Sequence, residues 1–168
     1  MRPLLYCTTF ASLLLTGAVF GFFYAFYCSV MWGLDASPPD AAIAAMQGIN
    51  REVRNAAFFP AFFLPPVFLA AGAILSWTLK NRSGGLAFGL AALVYLGGGL
   101  ILTMAVNVPM NEAFALVSIP ATEAEAQLIW NAYSQPWQFW NAVRTGFSGA
   151  ALLLIGWGLL ALGQQNDG

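Results

Sequence analysis

Four stretches of the chain carry no charge: Pro3 to Leu34, Asn55 to Leu79, Ser83 to Asn111 and Thr145 to Asn166. Each exceeds the ~20 residues that an α-helix needs to cross ~30 Å of hydrocarbon. The pattern predicts an all-α protein, a four-transmembrane-helix bundle with spans near 4–32, 56–79, 86–108 and 138–162 in a single integral membrane domain, 1–168. Arg2 followed by an apolar run resembles the start of a signal peptide. The run is too long for an h-region, however, and no small-x-small cleavage site follows it, so it is read as an uncleaved span.

The polar stretches between spans 1–2 and 3–4 predict short extramembrane helices. In the first, Ser37 is placed to be an N-cap, Pro38 and Pro39 fall in the first turn, and Asp40 sits at the positive helix end. Ile43, Met46, Ile49 and Val53 then share one face, and Gln47, Asn50, Arg51 and Arg54 another. In the second, Thr122-Glu123-Ala124-Glu125 reads as a capping box opening a short helix that Pro136 ends or restarts. Both helices are expected to lie on, or dip towards, one mouth of the bundle.

Composition narrows the class. Of 168 residues 60% are hydrophobic and 8% charged, against ~25% charged in a soluble domain. Mean hydropathy is +0.72. This excludes a soluble globular enzyme and a disordered tail. A net charge of −1 without a basic run excludes a nucleic-acid partner. Lys and Arg give little orientation: Arg2, Lys80 and Arg82, with Asp167, fall on the side of the termini, and Arg51, Arg54 and Arg144 on the other. Lys80 and Arg82 lie in a very short loop, where the positive-inside rule is strongest, and this favours cytoplasmic termini in a multi-pass membrane protein. Gly17/Gly21, Gly85/Gly89 and Gly97–Gly99 permit close helix approach, and a homo-oligomer stays open.

The chain has no histidine, which removes a His-ligated haem, a His-bound zinc and a Ser–His–Asp triad. Cys7 and Cys28, 21 residues apart on one apolar run, would stand about 32 Å apart on one helix and cannot pair with each other.

Three clusters remain as candidates for chemistry. Pro60, Pro65 and Pro66 remove backbone donors from the first half of the second span. The resulting kink either opens a cavity lined by Phe58, Phe59, Phe62 and Phe63 or merely serves packing. Asn107-Val108-Pro109-Met110-Asn111-Glu112 ends the third span, its amides either capping freed carbonyls or facing a ligand. Trp130, Tyr133, Trp137, Trp140, Asn141 and Arg144 are the densest group. An interfacial aromatic belt with a snorkelling arginine accounts for the rings, but an ionisable residue at membrane depth calls for a partner: Glu112, Glu52 or an anionic ligand.

Met46-Gln47-x-Ile49-Asn50, Asn107-Val108-Pro109-x-Asn111 and Trp130-x-x-Tyr133-x-x-x-Trp137-x-x-x-Asn141-x-x-Arg144, in that order, resemble the DUF1772 family over roughly 5–162. This family of small four-helix membrane proteins includes the anthrone oxygenases of fungal polyketide pathways. The resemblance implies a four-span bundle and, in the enzymatic branch, oxidation of an anthrone to an anthraquinone by dioxygen, with no cofactor requirement to carry across. Such chemistry needs a base, a stabiliser for phenolate or enolate charge, and an apolar aromatic pocket. Glu112, Arg144 and Asn141 are the expected catalytic set, with Glu52 a second candidate base. Asn50, Arg54, Asn107, Asn111, Trp130, Tyr133, Trp137 and Trp140 are the expected substrate-binding set. A base in a semi-apolar site would be raised towards neutrality. Besides the bilayer, the expected partner is a lipophilic aromatic small molecule. The competing expectations are a non-catalytic quinone or lipid binder, or an accessory subunit of a membrane complex, and, last, a transporter.

Overall fold

The computed structural model describes residues 1–164, and Asp167, counted above beside the termini, lies outside them. The described residues are helical, with no strand among them. α1 runs without interruption over Arg2–Asp35. α2 is Pro39–Glu52, α3 Phe58–Phe63 and α4 Pro65–Thr78. α5 is Arg82–Ala115 and α6 Glu123–Gln164. α1, α4, α5 and α6 form a ring in which α4 packs between α1 and α5, and α6 closes it between α5 and α1.

Three helices, α1, α5 and α6, are long and apolar enough to cross a membrane, and α4 is a shorter apolar helix. The second of the four expected spans is thus the one that falls short. Pro65 and Pro66 cannot donate to the helical ladder, so the 56–79 stretch breaks at Leu64 into a six-residue and a 14-residue helix. Asn55 starts the first piece, its Oδ1 accepting from the Ala57 and Phe58 amides at 2.9 Å each. Pro66 would leave the Phe62 carbonyl without its helical donor. The Tyr95 hydroxyl of α5 supplies one at 2.9 Å, pinning the break to the neighbouring helix.

The other three helices overrun their predicted bounds. At ~1.5 Å per residue, the 42 residues of α6 measure about 63 Å, twice the hydrocarbon thickness. The expected separate helix of the 3–4 loop is therefore the first third of α6, which passes through Pro136 instead of stopping there. Side-chain bonds on both sides hold the helix past the missing donor: Trp130 and Ser134 to Asp35, and Tyr133 and Trp137 to Asn111. Thr122 does receive the Glu125 amide, at 3.4 Å.

In the 1–2 loop, Ser37 is not the N-cap of α2. Its hydroxyl donates back to Gly33 O at 2.7 Å and closes α1, while α2 opens at Pro38–Pro39. α2 lies across the end of the bundle, burying Ala42, Ile43 and Met46 against Met31, Phe114 and Trp130. Gln47 Nε2 donates to Phe114 O and Val117 O at 2.9 Å each, capping the end of α5. At the opposite end Asn81 caps the start of α5 through Gly84 N and donates to Ala161 O of α6. Among the glycines of α5, Gly85 and Gly98 leave the least room for a side chain, a Cβ at Gly85 standing 2.3 Å from the Trp77 ring. A Cβ at Gly98 would stand 2.0 Å from the Phe147 ring of α6. Both cysteines are free.

Candidate functional site

The backbone departs from regular α geometry on both sides of one space. α1 widens into a π turn at Phe26–Val30, and α5 at Tyr95–Ile101 and Thr103–Asn107, the kind of local widening that recurs at functional sites. With the break at Leu64, these bounds leave a cavity of about 280 Å³. Its walls are mostly apolar and rich in aromatic rings, and Phe58, Phe59, Phe62 and Phe63 all line it, as the proline cluster allowed. The volume lies just below the ~300–1,000 Å³ of drug-sized ligand sites.

Arg144 reaches this cavity from α6 and is 5% exposed. Its Nε and Nη2 both donate to Asn141 Oδ1, at 3.0 and 2.9 Å. Asn141 in turn donates to Phe23 O at 3.0 Å, so the amide is a bracket between the guanidinium and α1. The guanidinium lies 4.2 Å from the centroid of the Phe23 ring and 4.9 Å from that of Trp137. A desolvated cation–π contact contributes about 2 kcal/mol. That is less than the several kcal/mol that removing a charge from water costs. No carboxylate pairs with Arg144 among the described residues. Of its two expected protein partners, Glu112 is bound to Arg54 at 3.3 Å and Glu52 to Arg51 at 3.0 Å. An anionic ligand is the remaining one.

A second polar row stands beside it. Asn50 Nδ2 donates to the Tyr133 hydroxyl at 3.0 Å, and that hydroxyl donates to Asn111 Oδ1 at 2.8 Å. The Trp137 indole N–H donates to the same oxygen at 2.9 Å. Tyr133 also stacks on Phe114, with ring centroids 3.7 Å apart. Arg54 and Glu112 line the cavity where it meets the surface, with side chains 49% and 59% exposed. Glu112 is therefore at the mouth and ion-paired, not enclosed in the semi-apolar setting expected of the base. Glu52 does not line this cavity.

The expected set thus divides. Arg144, Asn50, Arg54, Asn111, Glu112 and Trp137 line one cavity, with Asn141 and Tyr133 bracing them from behind. Asn107 is fully buried one turn from Thr103 and one from Asn111, and both polar atoms of its side-chain amide lack a partner among the described residues. Trp140 is half-buried against Phe139 and stands apart from the cavity. Trp130 is also apart from it. Its indole N–H donates to Asp35 at 2.9 Å, where Ser134 and Gln138 also converge, so it ties the end of α1 to α6.

Sequence reasoning missed Asp35 and Phe23. Asp35 is one of several acids in the polar stretches between the spans, and only the continuation of α6 through Pro136 brings three donors to it. Phe23 lies in an aromatic run, Phe20 to Tyr27, whose members carry no periodic signal that separates the cavity ring from lipid-facing ones.

The family model for anthrone oxygenases matches residues 54–154. This is well over half of the chain, though narrower than the 5–162 of the motif resemblance, and it takes in Arg54, Asn107, Asn111, Glu112, Asn141 and Arg144 but not α1 or Asn50. No curated protein and no solved structure matches the chain.

Proposed function

The chain belongs to the anthrone oxygenase family, and from that premise we propose that it is a membrane oxygenase. Its substrate would be a lipophilic polycyclic phenol or anthrone, oxidised with dioxygen and without a cofactor. The observation that carries this reading is Arg144: a buried guanidinium, facing an aromatic cavity, with no counter-ion among the described residues. Removing a proton from an anthrone's methylene turns its ketone oxygen into a phenolate, the anion that such a site would stabilise.

Glu112, released from Arg54, takes the methylene proton, and Arg144, held by Asn141, receives the developing oxyanion. The anion passes one electron to dioxygen, the carbon radical and superoxide combine into a peroxide anion on the former methylene carbon, and Glu112 returns its proton to give the hydroperoxide. Loss of water, with the remaining hydrogen of that carbon, leaves the second carbonyl. One anthrone and one dioxygen give one anthraquinone and one water. The rings of Phe23, Phe58, Phe62 and Trp137 supply the apolar platform and exclude bulk water.

In this reading α3 and α4 together make the fourth crossing, and Arg2, Lys80 and Arg82 lie on the cytoplasmic face. The Arg54–Glu112 pair favours a second reading, a quinone or lipid binder without turnover, because it occupies the candidate base.

The test is dioxygen uptake by the purified protein in detergent with anthrone as substrate. Uptake well above the spontaneous rate, lost in Arg144→Met and Glu112→Gln, is expected. Uptake at the spontaneous rate overturns the oxygenase, and uptake unchanged in both variants overturns the assigned roles.

A further inference from the structure

Asn111 can adopt only one amide orientation. An indole N–H donates and cannot accept, so the atom facing Trp137 at 2.9 Å must be the oxygen. The direction of the bonds at the Tyr133 hydroxyl follows from this polarity. The hydroxyl receives a bond from Asn50 Nδ2 and spends its own hydrogen on the same Asn111 oxygen. The row Asn50 to Tyr133 to Asn111, closed by Trp137, leaves two groups over. One is the Asn111 amide nitrogen with two hydrogens, and the other is the Asn50 carbonyl oxygen. Neither makes a hydrogen bond among the described residues, and both residues line the cavity.

Arg144 offers a second donor station. Its Nε and Nη2 are engaged by Asn141, and Nη1 makes no hydrogen bond among the described residues. Trp137 lies between the two stations, its ring against the guanidinium and its N–H on Asn111. A flat ring lying along that indole would thus meet a cationic donor on one side and a neutral donor, with an acceptor beside it, on the other.

We infer that Asn111 is a specificity-determining residue that reads a second oxygen of the ligand. The ligand is a planar arene oxygenated at two places. An acidic hydroxyl or enolisable carbonyl sits at Arg144, and a further carbonyl or hydroxyl sits at Asn111, where Asn50 accepts from it if it is a hydroxyl. The inference rests on the reading of the cavity as a ligand site but not on turnover. It separates this cavity from one shaped for an acyl chain, which would leave the free amide groups of Asn111 and Asn50 unpaired.

Asn111→Asp isolates the point. The carboxylate keeps an acceptor for Trp137 and Tyr133 and replaces the free donor with an acceptor. Binding to the full chain in detergent is read by quenching of tryptophan fluorescence, with dihydroxyanthraquinone and anthracene as probes. The wild type is expected to bind both. Asn111→Asp should bind dihydroxyanthraquinone at least about tenfold more weakly, the worth of one hydrogen bond to a buried group, and anthracene equally well. Asn111→Ala should shift the ratio of the two affinities in the same direction, and that ratio does not depend on the fraction of folded protein. An unchanged ratio in both variants, or equal losses for both probes, overturns the inference. A wild type that binds neither probe overturns it together with the ligand-site reading. Binding with the expected ratio but no dioxygen uptake with anthrone supports it and overturns only the oxygenase.

Discussion

The two ends of the bundle are built on opposite principles. Towards the termini, Leu5, Leu69, Phe88, Ala91, Ile155 and Leu162 form an apolar core between regular helices. Glycine there sets contact distance: a Cβ at Gly158 would stand 2.6 Å from the Phe88 ring. Towards the loops, two of these helices widen into π turns, one breaks at paired prolines, and a charged side chain lies buried without a counter-ion among the described residues. The first end follows the rules of membrane packing, small residues and close backbones. The second violates them at several points that converge on one cavity. Proteins spend stability in this way where a ligand is to be held.

The contrast can be broken by substitutions that move stability and activity separately. The largest expected effect is that of Glu112→Gln, which should lower anthrone-dependent dioxygen uptake by about 10²–10⁴-fold, the range for loss of a general base. Its exposed pair with Arg54 contributes ~0–1 kcal/mol, so the unfolding temperature should hardly move. Next comes Arg144→Met, expected to cost about 10²–10³-fold in rate, as for loss of one oxyanion donor. Thermal unfolding in detergent should show this variant as stable as the parent or more so, because a buried charge is replaced by an apolar chain. A large loss of stability would show that Arg144 is structural. Gly158→Leu should do the reverse. Driving a side chain into Phe88 should destabilise by roughly 1–3 kcal/mol, while the rate per folded molecule stays the same. The smallest effect is that of Trp130→Phe, which forfeits one hydrogen bond to Asp35, about 1 kcal/mol, with no change in rate. A rate change there would extend the site beyond the cavity.

Much of this contrast could be read from the residues themselves. Charge-free runs located the long helices because length and hydropathy are what a bilayer demands of them. Paired prolines located the break, since the missing donors act within one turn wherever the helix lies. Asn141 and Arg144 share a helical face at i, i+3, so their contact is local and was legible. What could not be read depended on distant partners. Pro136 was expected to end or restart a helix by its local chemistry, but anchors on α1 and α5, 22 to 99 residues from the side chains that bond them, hold the helix through it. Ser37 carried an N-cap signature and used its hydroxyl on the preceding helix instead. The pairing of Glu112 with Arg54, which moves the candidate base from the interior to the mouth, required the 1–2 loop to be placed against α5.

The central claim is that Arg144 waits for an anion, and the absorption spectrum of bound dihydroxyanthraquinone tests it most directly. A phenolate absorbs at longer wavelength than its phenol. At a pH where the free compound is neutral, the wild type should bind it with the red-shifted phenolate spectrum, and Arg144→Met should bind it weakly and as the phenol. A wild-type complex with the spectrum of the neutral compound, or a red shift that survives Arg144→Met, would contradict the account.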